Sequence, residues 1–441
     1  MKKLLPVIFL FAALSAGALA QTPVAQSPQT AAGNVVAPPR DARQESFEKV
    51  WRTVKEKHFD PTFGGVDWDK VREQYAPRVA AVKSDAELYQ LLQQMLGELH
   101  QSHFAIIPPE SVTPEESKGP VEGGIGVDVR ILDGQAVITR VLPGSKAAAA
   151  GLRAGFVIKQ IDQTPVEQII QRFAKSKQSP TLTNYYITRS VLGRTEGKLG
   201  TAVRLSYLDG RDQTREANIE REPFKGEVSP PMGNFPSQYM EFETKRLAGG
   251  VGYIRFNIFV IPLLEKIKAA IRQMSDAPGI IIDLRGNPGG VGGMATGIAG
   301  VLESKQTSLG VMKLRTGHMN FAVFPQPGAY TGSVAILIDG SSASTSEVFA
   351  GGMQDIGRGV VIGERSVGAA LPSVFEKLPT GALFQYAIAD FKTPKGVLVE
   401  GRGVVPDREV KLTRRALLEG RDTQLEAAIE QVTKKRQAGA K

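Results

Sequence analysis

Across residues 45–103 apolar side chains return at steps of three and four: Phe47, Val50, Trp51 and Val54, then Leu88, Leu91, Leu92, Met95 and Leu96. That period predicts amphipathic helices with one buried face, and Asp67 and Asp85 stand where N-caps belong. From Gly123 the period shortens to short alternating strands between Gly and Asp turns. Beyond a Pro- and Gly-rich connection at 229–236, β-branched runs at 251–256, 279–284, 334–338 and 360–362 alternate with helical patterns at 263–274, 295–302 and 346–355. Such alternation predicts an α/β domain with a mainly parallel sheet. The tail at 422–435 reads as one more amphipathic helix. The expected fold is therefore α+β multidomain: a helical domain over 43–112, a β domain over 120–222, an α/β domain over 236–412 and a C-terminal helix within 413–441.

The chain start changes where such a protein is expected to work. Lys2 and Lys3, an apolar run over 4–14 and small residues ending in Ala18, Leu19 and Ala20 follow the order of a secretory signal, placed at 1–20. The apolar run is shorter than the roughly 20 residues a membrane helix needs. With no cysteine to acylate at the cleavage site, release into a periplasm or the outside is expected. Residues 21–42, rich in Pro, Gln, Ala and Thr, read as a disordered tether.

At 441 residues the chain is too long for one core. It has no cysteine, which removes thiol catalysis and thiolate metal sites. Its 54 Lys and Arg against 45 Asp and Glu give +9, or +7 once Lys2 and Lys3 leave with the signal. The charge is spread without a dense basic block, so no nucleic-acid partner is expected. Four histidines and no H-E-x-x-H pairing give a metallopeptidase little support; neither metal nor cofactor is expected.

One stretch of the β domain is more specific. Gly123, Gly124, Ile125, Gly126 and Val127 read as a strand; Pro143, Gly144, Ser145 and Lys146 then lead into an Ala-rich helical turn ending at Gly151 and Leu152. This resembles a PDZ domain from Gly123 to about Pro165, with the strand at 202–208 as a further sheet member. The resemblance implies that Gly124, Ile125, Gly126 and Val127 present N–H groups to a peptide carboxylate while the peptide adds as a strand. Phe156, where PDZ domains usually carry Asp after Gly155, departs from the pattern at a turn.

Two loops of the α/β domain carry candidate chemistry. Asp283, Leu284, Arg285, Gly286, Asn287, Pro288, Gly289 and Gly290 follow a buried-type strand. Neither the G-x-G-x-x-G spacing nor a P-loop Lys is present, so a phosphate cradle is disfavoured, and a glycine turn at a strand end suits an oxyanion site. The second loop runs through Ser342, Ala343, Ser344, Thr345, Ser346 and Glu347 into a helix. Ser344 is the candidate nucleophile, although Ser344 with Glu347 three residues on is equally a capping box.

Together the 285–290 turn, the 342–347 loop and Gly401, Gly403, Val404, Val405, Pro406 and Asp407 resemble the successive signatures of the C-terminal processing peptidase and tricorn-core serine peptidases. The resemblance spans nearly all of the chain after the signal. It implies a crotonase-like α/β catalytic domain, Ser344 as nucleophile, and an oxyanion hole from Gly289 or Gly290 together with Thr345. In the processing branch a Lys stands 25 positions after the serine; that position here is Ala369. In the tricorn-like branch the base is a His after a Ser, with a Glu late in the domain. Ser102 and His103 match that pair, and Glu400, 56 positions after Ser344, matches the third member. The implied roles are base for His103, orientation of the imidazole for Glu400, and a supporting position for Ser102. His100 competes with His103, and His58 and His318 have no motif around them.

The sequence thus predicts an exported serine endopeptidase acting on proteins or peptides, unfolded or with free C-termini, with oligomerisation left open. The alternative is a catalytically silent PDZ adaptor that binds exported C-termini, kept open by Ala369. A crotonase-like acyl-transfer enzyme has no use for a triad serine beside a PDZ-like domain.

Overall fold

The computed structural model describes residues 40–109, 122–173 and 178–434. The expected signal and most of the expected tether lie outside them. The first unit is three helices, α1 (Arg40–Lys57), α2 (Trp68–Ala81) and α3 (Asp85–Gly97). Asp67 caps α2 by accepting Lys70 N–H. At α3 the cap is Ser84, not Asp85; Asp85 is the first helical residue and instead pairs with Arg43. Trp68, Leu88, Leu92, Met95 and Phe47 close the core of these helices, yet that core also takes in Leu371, Leu378, Phe384 and Tyr386 from far along the chain. Strand Ala105–Ile107, directly after the helices, pairs antiparallel with Leu383–Ala387. The helical unit is therefore sewn to the last one.

The second unit is a sheet in the order Val127–Leu132, Gln135–Val141, Val157–Ile161, Ala202–Leu208, Thr214–Glu220, with α4 (Lys146–Ala149), α5 (Val166–Arg172) and α6 (Pro180–Thr195) beside it. The run expected as one strand from Gly123 is two: Glu122–Gly124 pairs elsewhere, the chain breaks at Ile125 and Gly126, and a new strand begins at Val127. Gly126 has φ 83°, and a Cβ there would stand 2.4 Å from Ser145 Cβ, which is why only glycine turns this corner. Phe156 stacks on Tyr207 at 5.6 Å.

The third unit holds a six-stranded sheet in the order Phe242–Arg246, Gly252–Phe256, Gly279–Asp283, Ser333–Ile338, Val360–Gly363, Arg408–Glu409. All neighbours are parallel except the first pair. Ile280, Ile281, Ile282, Ile336 and Leu337 are fully buried, as expected of strands covered on both faces. Helices α7 (Ile261–Gln273), α8 (Gly293–Ala299) and α9 (Thr345–Asp355) pack on one side. On the other side Ala427, Ala428 and Val432 of the last helix, α11 (Thr423–Thr433), pack after the short α10 (Arg414–Leu418). No helix among the described residues is long and apolar enough to cross a membrane.

Candidate active site

Strand Ser333–Ile338 ends just before Asp339 and α9 begins at Thr345, so the chain must reverse within a few residues. Ser344 makes that reversal with φ 56° and ψ −119°, a conformation a non-glycine residue keeps only when its surroundings over-determine it. They do. Its N–H donates to the Ala369 carbonyl and to Glu347 Oε2, both at 2.9 Å. Glu347 is fully buried and also accepts Ser366 Oγ at 2.6 Å, Gly368 N–H at 2.7 Å and Ala369 N–H at 3.0 Å. Burial pushes its pKa up to about 7 against the pull of those four donors. Glu347 thus caps α9 by accepting the Ser344 N–H, while the Ser344 hydroxyl is buried without a hydrogen-bond partner among the described residues.

The glycine turn lies directly against this serine. Asp283 and Arg285 are locked together by contacts of 2.6 and 2.9 Å, with Tyr253 on the same carboxylate and Asp422 on the guanidinium. Asn287 anchors to the Phe256 carbonyl and accepts the Gly289 N–H at 2.9 Å. A Cβ on Gly289 would fall 2.7 Å from Ser344 Cβ and 2.8 Å from Thr345 N, so the close approach requires glycine. The Gly289 N–H is spent on Asn287, whereas the Gly290 and Thr345 N–H groups have no acceptor among the described residues. Thr345 Oγ1 donates to the Gly290 carbonyl at 2.8 Å, holding the two side by side.

The third set of groups arrives from the loop after α3. His103 is buried with φ 60°, and its Nδ1 lies 2.7 Å from Ser102 Oγ. Ser102 Oγ donates to Glu400 Oε2 at 2.9 Å, and Ser102 N–H donates to Glu400 Oε1 at 2.9 Å. Glu400 thus reaches the imidazole through the Ser102 hydroxyl. Burial drops the His103 pKa to about 4, so the ring is neutral at neutral pH, and burial also raises the Glu400 carboxyl above its ordinary value. The His103 Nε2 makes no hydrogen bond among the described residues.

The PDZ-like unit contributes to the same place. Leu182 and Tyr185 of α6 pack on Ala343, Val367 and Ala369, the Tyr185 hydroxyl is buried without a partner, and Ser344 is fully buried. From strand Val127–Leu132, Arg130 Nε donates to Asp339 Oδ2 at 2.6 Å, while Asp339 Oδ1 accepts Gly286 N–H and Ser341 N–H. In the same unit the Ile125 and Gly126 carbonyls accept Ala147 and Leu142 N–H groups, and the Ile125 and Gly126 N–H groups stay unengaged among the described residues.

Ser344, Gly289, Gly290 and Thr345 therefore gather at one turn, and Ser102, His103 and Glu400 form one chain of contacts. Gly124, Ile125, Gly126 and Val127 stand apart in the PDZ-like unit. His100, also at positive φ, is exposed and joins neither set. Tyr185 and Arg130 went unnoticed in the sequence because their role depends on how two units dock. Ser366 was missed for a similar reason: its hydroxyl bridges Glu347 and Val404 N–H. No group of three or more His, Cys, Asp or Glu among the described residues could hold a metal ion.

Comparison with known proteins adds three domain matches in chain order: Tricorn protease C1 domain over 39–97, PDZ domain over 115–182 and Peptidase family S41 over 250–410. A carboxyl-terminal-processing protease of Picosynechococcus sp. is 26% identical over 373 residues, covering 83% of each chain. Its namesake in Synechocystis sp. is 25% identical over 399 residues, covering 88% of this chain and 87% of its own. The solved Photosystem II D1 C-terminal processing protease shares the fold with a TM-score of 0.58 at 22% identity, over 89% of this chain and 98% of its own.

Proposed function

Because the chain belongs to the serine peptidases of family S41, with tricorn-type C1 and PDZ domains ahead of the peptidase domain, we propose that Ser344 is its nucleophile and His103 its base. What carries this reading is one peptide unit. The Ala369 carbonyl accepts Ser344 N–H, and the N–H of the same unit, on Ala370, donates to Glu400 Oε2 at 2.9 Å. The serine turn and the Glu400, Ser102 and His103 chain are thereby held in fixed relation.

In the proposed reaction neutral His103 takes the Ser344 proton as the hydroxyl attacks a peptide carbonyl. The oxyanion is received by the Gly290 and Thr345 N–H groups, at the positive end of α9. His103 then gives its proton to the leaving amine, and a water, deprotonated by the same ring, releases the acyl group. Ionised Glu400 accepts from Ser102, whose hydroxyl orients the imidazole and so steadies the imidazolium. Ser344 is fully buried and Tyr185 of α6 packs on its neighbour Ala343, so α6 is the element we assign to opening the site to substrate.

The substrates are proteins or peptides, and we assign the PDZ-like loop around Ile125 and Gly126 to binding of their free C-termini. Its unengaged N–H groups and the place of strand Val127–Leu132 at the edge of its sheet support this. The charged and apolar order of residues 1–20 supports export.

Cleavage of a denatured protein by purified Ser344→Ala tests the reading. Turnover should vanish while the fold survives, since the hydroxyl makes no hydrogen bond. Cleavage at the parent rate removes Ser344 as nucleophile. If the parent itself cleaves nothing yet binds peptides with free C-termini, the silent-adaptor reading replaces this one.

A further inference from the structure

His58 lies outside the groups assigned so far and has no exposed surface. It follows α1 and is packed among aromatic rings: stacked on Phe59 at 4.6 Å and on Phe104 at 5.5 Å, with Phe63 edge-on at 5.4 Å. Both ring nitrogens are engaged. Nδ1 lies 2.8 Å from the Asp60 carbonyl and 3.0 Å from the Asp60 N–H, and Nε2 lies 2.8 Å from Gln101 Oε1. The His58 carbonyl in turn accepts the Arg315 guanidinium at 2.9 Å, tying this corner to the third unit. Burial holds the ring's pKa below its ordinary value, so it is neutral and fixed by these contacts.

The partner of its Nε2 is what gives His58 a role. Gln101 directly precedes Ser102 and His103, and the loop there is strained: His100 has φ 52° and His103 φ 60°. Such a conformation is unfavourable for any residue but glycine and persists only where neighbours hold it. The loop is gripped at two points by one imidazole, at the Gln101 side chain through a hydrogen bond and at the Phe104 ring by stacking. Between those two points stand the Ser102 hydroxyl and the His103 ring. A core filler of the same shape would supply the stacking but not the hydrogen bond.

We infer that His58 is a positioning residue for peptide hydrolysis, fixing through the Gln101 side chain the segment that sets the Ser102 and His103 geometry. This rests on the reading of His103 as the base.

The test is steady-state kinetics on a denatured protein substrate, with thermal unfolding of each variant to establish folding. His58→Phe keeps the ring and removes the hydrogen bond; Gln101→Leu removes it from the other side; His58→Gln restores an amide donor. Both losses should lower kcat by roughly a hundredfold, as displacement of a reacting group by about 1 Å does, with KM unchanged. The double variant should be no slower than the worse single one, and His58→Gln should regain part of the rate. Parent kcat in folded His58→Phe, or losses that multiply in the double variant, would overturn the inference. Should His58→Phe not fold, Gln101→Leu carries the test by the same criterion. His103→Ala separates the two claims: if it turns over at the parent rate the base reading itself fails, whereas an inert His103→Ala beside an unimpaired His58→Phe sinks only the positioning role.

Discussion

Ser344 and Glu400 are joined through a single peptide unit, the Ala369 carbonyl taking the serine N–H and the Ala370 N–H reaching the carboxylate, each at 2.9 Å. Position 369 therefore works through its backbone, and its side chain faces Tyr185, Ala343 and Val367 in an apolar cluster. Ala369→Lys, which restores the residue of the processing branch, should not raise kcat. It should also lower stability by several kcal/mol, because an unpaired ammonium would sit in that cluster. Turnover and urea unfolding of the variant measure both; a gain in activity contradicts the assignment of His103 as base.

Ser102 stands between the imidazole and the carboxylate, 2.7 Å from one and 2.9 Å from the other. Ser102→Ala and Glu400→Gln should each reduce kcat on the order of 10²-fold, within the range that positioned proton transfer supplies. Because the two act as one unit, the double variant should lose little more than the worse single variant. Losses that multiply across the double-mutant cycle would mean that Glu400 acts by a route other than Ser102.

Histidine must be neutral to accept the serine proton, so activity rises with pH through the His103 ionisation. Burial has moved that ionisation to about 4, well below the ordinary value of about 6.5. In the free enzyme kcat/KM should therefore fall only below about pH 4, by tenfold per unit, and be level near pH 6 as far as His103 is concerned. Any inflection near 7 that disappears in Glu347→Gln belongs to Glu347, whose carboxyl burial raises to about 7. A His103-dependent limb at 6.5 or above would show that the ring is solvated in the working enzyme.

The fold classes were legible because each depends on local period. The β-branched runs at 279–284 and 334–338 became adjacent parallel strands, and the 263–274 and 346–355 patterns became α7 and α9. What the sequence hid is set by pairing over long separations. Strand Ala105–Ile107 is too short to announce itself and exists because it pairs with Leu383–Ala387; the antiparallel strands Thr307–Leu314, His318–Val323 and Ala389–Lys392 likewise alternate weakly and depend on one another. In the site, Ser344, His103 and Glu400 were singled out by motif as candidates, with Ser102 in support of His103. The intervening place of Ser102 was not, nor the engagement of Gly289 by Asn287, since a hydrogen-bond partner leaves no period in a sequence.

Arg130 and Asp339 form a largely buried ion pair that links the PDZ-like unit to the glycine turn. Arg130→Met leaves Asp339 buried, retaining its bonds to Gly286 and Ser341 N–H but no cation. Removing one partner of a buried pair costs about 3–5 kcal/mol, and here the loss should appear both in urea unfolding and in kcat, as the PDZ-like unit docks less firmly on the glycine turn. A variant as stable as the parent would show the pair to be dispensable for docking.

Covalent labelling of the parent, Ser344→Ala and His103→Ala with a fluorophosphonate, followed by peptide mapping of the adduct, tests the central assignment most directly. The label should sit on Ser344 in the parent, be absent from Ser344→Ala, and form far more slowly in His103→Ala although that variant keeps the hydroxyl. A parent protein that takes no label, or one whose label maps to another residue, would contradict the proposed nucleophile and base.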